Sequence, residues 1–294
     1  MERTYERARR GLALKDWGLK NRTTPLDPDS SLAGDDAGFM PDYAGDPVSG
    51  SVLFPIMNAT DDLAAAAELI QWRPRSKNAH AAALLTLCRA AVESSARTIW
   101  LLSDTDRATR RSCCVRFEAS ELDNQRGFHK SERDWFEAHR ELKDGQDYKD
   151  FQEHVRLFDK RVKMLQKGMQ ATPKVSVPGS SEVVGVAAKW ITKHRPAHDP
   201  EPYGDRFVEV ATRFYRLGSG FVHGYKWATD YVQTGELEIF RMVAEGLGVA
   251  VGMAECAVAL YEAQAQRHGS KTGRQRFYPN RLEPTVKDWS TLYA

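Results

Sequence analysis

Between Ala79 and Leu102 the chain carries neither glycine nor proline, is rich in alanine, and repeats its apolar residues at helical intervals. Leu84, Cys88, Ala91, Ser95 and Leu102 fall on one stripe, while Arg89, Glu93 and Arg97 fall on the opposite side at i, i+4 and i+8. A strand needs side chains that alternate with period two, so this segment has to be a helix. Its small residues let a second helix approach closely. Alternation elsewhere never persists beyond a few residues, and Lys174–Val177 is too short to build a sheet. The fold class is therefore all-α.

The remaining sequence divides around that segment. Residues 1–22 read as a short basic amphipathic helix. Residues 23–50 carry Pro25, Pro28, Pro41 and Pro47 among Asp and Gly, which predicts a loop or mobile lead-in. Thr60 or Asp61 caps a helix that Pro74 stops near Trp72. Asp104 caps a long charged helix to about Lys143, and Gly145 separates it from another over Tyr148–Met169, a pattern expected of an antiparallel hairpin. A loop at 172–180, a short helix over Ser181–His194 and a Pro-rich linker over Arg195–Tyr203 follow. A further helix starts near Tyr203–Asp205, and the last long one runs from Gly235 to about His268. The expected organisation is an N-terminal extension, partly disordered, over 1–50, a helical bundle domain over 51–268 and an irregular C-terminal tail over 269–294.

Charge and cysteine content narrow the function classes. A net charge of +2 gives no global basic field, so any nucleic acid must be held by a local patch such as Arg107, Arg110, Arg111 and Arg116. Cys88, Cys113, Cys114 and Cys256 make no Cys-x-x-Cys spacing and point to reduced thiols in a cytoplasmic protein, with no metal site and no cofactor. No phosphate-binding glycine loop, dinucleotide fingerprint or nucleophile elbow is present. The N-terminus lacks the apolar stretch of a signal peptide. Glu245 and Glu255 interrupt the most apolar window, Met242–Tyr261, so a buried central helix is expected there rather than a membrane span.

Chemistry concentrates in Tyr-Arg-Leu-Gly-Ser-Gly-Phe-Val-His-Gly at 215–224. Arg216 and His223 are about two turns apart and share a helix face, opposite the apolar stripe Phe207, Val210, Ala211, Phe214, Leu217 and Phe221. A guanidinium forks onto phosphate oxygens, and an imidazole, with an ordinary pKa of about 6.5, moves protons near neutral pH. Ser219, one turn from each, is placed to bond phosphate or hold the histidine, and Glu93 between Arg89 and Arg97 to orient Arg216. Gly218, Gly220 and Gly224 predict a kink or break near 218–225. Arg75/His80 and Arg133/His139 show similar spacings in less informative contexts. Arg274, Arg276, Phe277 and Tyr278 in the tail suit single-stranded nucleic acid or, more simply, an arm docked on its own bundle.

This arrangement resembles the HEPN superfamily, helical bundles that include RNase toxins and abortive-infection proteins, whose signature is an Arg, four to six residues, then a His. Leu87–Glu93 running into Ile99–Leu102 is similar to an early core helix of AbiV-like relatives, and Ser219–Gly224 to their late motif. The resemblance spans about residues 60–265. It implies a metal-independent endoribonuclease in phage defence or a toxin system. It also implies RNA as substrate, a homodimer that pairs two motifs across a cleft, and an antitoxin partner. Leu217 departs from the pattern, since active members usually carry a polar residue directly after the arginine. That departure supports the alternative, a non-catalytic helical module binding a partner protein, a nucleotide or RNA.

Overall fold

The computed structural model describes residues 2–43, 46–200, 204, 206–231, 235–269 and 272–293. Its helices are, in order, α1 (Glu2–Leu12), α2 (Lys15–Lys20), α3 (Ser31–Asp36), α4 (Pro47–Ser76), α5 (Ala81–Leu102), α6 (Arg107–Ala138), α7 (Gln146–Gln170), α8 (Ser180–Lys193), α9 (Phe207–Val222), α10 (Glu236–Ala265) and α11 (Glu283–Ser290). Among the described residues there is no strand, and the protein is all-α.

The chain forms two compact units. The larger comprises residues 1–34, 52–105 and 178–294, and the smaller residues 35–51 and 106–177. In the larger unit α10 is central and packs against α5, α1, α9 and α11, while α8 and α9 lie against α5 and against each other. The apolar stripe of α5 is buried as its spacing requires: Leu84, Cys88, Ala91, Ser95 and Leu102 are all inside. Leu237–Ala265 of α10 is long and apolar enough to cross a membrane, but 83% of its most apolar window is buried inside the protein. Phe214 of α9 presses on Gly246 of α10 so closely that a Cβ there would collide with the ring.

Both termini are structural. Glu255 on α10 is fully buried and accepts from Arg10 of α1 at 3.0 and 2.5 Å, from Arg281, and from His198 Nε2 at 3.2 Å. His198 Nδ1 in turn sits 2.8 Å from the buried Thr285 hydroxyl of α11. Burial opposes the charge of Glu255, but the bonds from His198 and Arg10 and the nearby Arg281 overcome it and hold the carboxyl down at about 2. Arg274 is likewise buried, bonding Glu262 at 3.0 Å and Asn21 at 2.7 Å. Trp289 packs edge-on against Trp190. The tail is therefore an arm docked on its own bundle, and the expected irregular tail contains a helix.

The smaller unit holds the expected hairpin, α6 and α7 joined through Gly145, around Val115, Leu122, Phe158 and Leu165. Its cap is Asp106, whose carboxylate accepts from the Thr109 N–H at 2.9 Å, not Asp104. The arginine cluster proposed from sequence as a basic patch is occupied internally. Asp35, fully buried, takes Arg107 at 3.1 Å and Arg110 at 2.6 Å, Arg111 donates to the Asp35 and Ala37 carbonyls, and Arg116 donates to the Met169 and Pro173 carbonyls.

Two boundaries also differ from expectation. Helix α4 begins at Pro47, passes through Pro55 and Pro74, and ends at Ser76. Proline at the first helical position forfeits no bond, because that N–H has no partner within the helix, and Pro74 lies in the last turn. The lead-in at 23–50 contains α3 and the start of α4. The expected helix start at Tyr203–Asp205 falls outside the described residues.

Candidate functional site

Helix α9 presents three distinct faces, and their residues follow from 3.6 residues per turn. Phe207, Ala211, Phe214 and Gly218 turn inward and are buried. Arg206, Val210, Arg213 and Leu217 form a second face. They line a cleft of about 690 Å³ together with Glu238, Arg241, Met242 and Glu245 of α10 and Asp230 and Tyr231 of the 3₁₀ segment Lys226–Tyr231. This explains why the apolar stripe read from sequence is wider than the buried surface: Val210 is 40% exposed and Leu217 half-buried, both serving as cleft wall.

Arg216 and His223 stand together on the third face, both exposed. Neither side chain makes a hydrogen bond or ion pair among the described residues, and the His223 ring lies 5.4 Å from that of Tyr225. On an ideal helix Arg216 is about 60° around from Arg213, so this face borders the cleft without lining it. The helix continues through Gly218 and Gly220 and stops after Val222. There Gly224 adopts φ +63°, its N–H reaches the Phe221 carbonyl at 3.2 Å, and the Tyr225 N–H reaches the Gly220 carbonyl at 2.9 Å. That pair of bonds is a Schellman ending, which the left-handed glycine makes possible. The expected break is thus a capped terminus with His223 as the cap residue after Val222, held to the Ser219 carbonyl by its N–H at 3.0 Å.

The supporting residues are brought together, but around each other rather than around Arg216. Arg89 of α5 donates to the Ser219 hydroxyl at 3.0 Å and to the Tyr215 hydroxyl at 2.8 Å, and its guanidinium lies 4.6 Å from the Tyr215 ring centre. Tyr215 donates to Glu93 at 2.7 Å, and Arg97 donates to Glu93 at 2.6 Å. Burial works against the Glu93 charge, yet bonds from Tyr215 and Ser180 and the flanking Arg97 and Arg89 keep its carboxyl below the ordinary range. Burial and the Glu93 carboxylate push the Tyr215 phenol up to about 12. Gly218 permits the approach, since a Cβ there would lie 3.1 Å from Arg89 Cβ. This polar seam fastens α9 to α5. It engages Ser219 as acceptor from Arg89 and leaves Glu93 with no bond to Arg216 among the described residues, and the clamp fixes the rotation of α9.

Sequence reasoning missed the cleft arginines. Arg206, Arg213 and Arg241 form no ion pair or hydrogen bond among the described residues. With Arg216 they make four guanidiniums without a salt bridge among the described residues, the cleft also carrying the carboxylates of Asp230, Glu238 and Glu245. The signal was the spacing of Arg206 and Arg213, seven apart on the same face as Leu217. Among the described residues no cluster of His, Cys, Asp and Glu is arranged to hold a metal ion. All four cysteines are buried free thiols, and burial pushes Cys88 up to about 12. No family model matches this chain, and no curated protein or solved structure matches it significantly.

Proposed function

We propose that this protein binds RNA through the phosphate backbone along α9, and that Arg216 and His223 form a HEPN-like, metal-independent endoribonuclease site. The observation that carries the reading is the group of four exposed arginines with no internal partner, gathered beside an open cleft and an exposed imidazole. A guanidinium keeps its charge at any physiological pH and matches a phosphate with two parallel donors. Cleavage without metal uses the ribose 2′-hydroxyl as nucleophile. His223 takes or returns a proton, and Arg216 stabilises the charge that accumulates on phosphorus. Two copies meeting along this face would place two such pairs about one phosphodiester, which the resemblance to HEPN proteins also implies.

The decisive experiment is cleavage of single-stranded RNA by the purified protein in EDTA, compared with His223→Ala. Activity that is abolished in the variant supports the assignment, and equal activity in both removes His223 from the reaction. A second reading, a non-catalytic RNA-binding module, is favoured by one observation: Leu217 supplies apolar cleft wall where a polar partner for the pair would stand. That reading expects RNA binding with no cleavage in either protein.

A further inference from the structure

A second, apolar cavity of about 230 Å³ lies on the other flank of α10, and Arg241 lines both it and the arginine cleft. The helix period explains the arrangement. Glu238, Arg241 and Glu245 recur at i, i+3 and i+7 and face the cleft, while Leu237, Phe240 and Ala244 recur at the same intervals one residue earlier and face the cavity. The two sites are therefore about 100° apart on one helix about 10 Å across, with Arg241 on the ridge between them.

We infer that this cavity is a nucleobase pocket: one unstacked base of a single-stranded RNA docks in it while the flanking phosphates lie on Arg241 and the cleft arginines. The inference rests on the RNA-binding reading above and specifies how the substrate is gripped. The cavity holds about the volume of eight waters, which suits one heteroaromatic ring system. Its walls include buried Ile70, Leu84 and Val243, so a base entering it sheds water against apolar carbon. Phe240 and the Arg73 guanidinium, which lies 4.0 Å from its ring centre, both line the cavity and offer it flat stacking surfaces. Aromatic faces of this kind accept any base by stacking. At the rim, the side-chain hydroxyls of Thr4 and Tyr5 have no hydrogen-bond partner among the described residues, leaving them able to meet the polar edge of a base. A plain hydrocarbon chain would use neither these hydroxyls nor Arg241.

The test compares two labelled oligonucleotides of equal length, oligoadenylate and its abasic ribose-phosphate counterpart, by fluorescence anisotropy. The wild-type protein should bind the base-bearing strand about tenfold more tightly. Ala79→Trp, which fills the cavity from its partly exposed rim, should erase that preference and keep the salt-dependent affinity for both strands. Arg213→Ala should weaken both strands equally. Equal affinity of the wild type for the two strands, with Arg213→Ala still weakening both, overturns the base pocket and leaves the phosphate-binding cleft standing. Failure of the wild type to bind either strand overturns both.

Discussion

Arg10, Arg274 and Arg281 share a compact unit with Arg206, Arg213, Arg216 and Arg241, yet the two groups could hardly be treated more differently. The first three surround Glu255 and Glu262, carboxylates with at most 3% exposure, in bonds that tie the chain ends to α10. The other four stand at the surface of α9 and α10 with no internal partner among the described residues. A guanidinium cannot shed its proton to escape burial, so inside a protein it needs an anion, and the first group has one. At the surface the anion can come from elsewhere. Residue type alone does not separate an arginine that ties the fold together from one left at the surface, whereas a salt bridge to a buried carboxylate does.

Breaking the buried side of this comparison should have the largest effect. Glu255→Ala leaves Arg10, Arg281 and His198 around an uncompensated site and should cost about 3–5 kcal/mol in urea unfolding. Acid acts on the same group. The Glu255 carboxyl is depressed in the fold, from 4.5 to about 2, so its stabilisation is complete above pH 4.5 and is lost as pH falls toward 2. That loss is on the order of 3 kcal/mol, and Glu255→Gln should flatten the acid limb of stability against pH.

The exposed side should respond in function and not in stability. His223→Ala should lower RNA cleavage by about a hundredfold or more with the unfolding midpoint unchanged. A fall in stability of the same size as Glu255→Ala would mean that the imidazole belongs to the fold. Arg213→Ala should reduce the dependence of RNA affinity on salt by about one unit of the log–log slope. The smallest effect belongs to Arg97, which is 34% exposed and pairs with Glu93 from the edge of the polar seam. Arg97→Ala should cost about 0.5 kcal/mol, measured as the shift in urea midpoint.

How far the sequence disclosed this structure follows from how local each feature is. The α5 stripe and the apolar α10 were readable because burial repeats along one segment at the helical period. The early start of α4 was hidden behind Pro47 and Pro55, residues that normally mark an end. Helix α11 is eight residues long and draws its order from contacts distant in sequence, such as Thr285 with His198 and Trp289 with Trp190, so no local pattern announces it. At the site, the sequence placed Ser219 beside the phosphate or His223 and Glu93 beside Arg216, whereas the structure joins both through Arg89 and the Tyr215 hydroxyl, a group counted with neither stripe. The cleft arginines were overlooked because Arg213 and Arg241 lie on helices, and Arg206 at a helix start, where scattered charge ordinarily means a wetted surface, and Arg241 is separated from the others by a turn and the start of a new helix.

The contact of Phe214 with Gly246 has a consequence for the cleft beside it. Those two residues set how near α9 comes to α10, and the arginines of both helices inherit that distance. A single missing methyl group therefore calibrates the spacing between the charges that the two helices carry. Gly246→Ala would push the helices apart and change that spacing without touching one arginine.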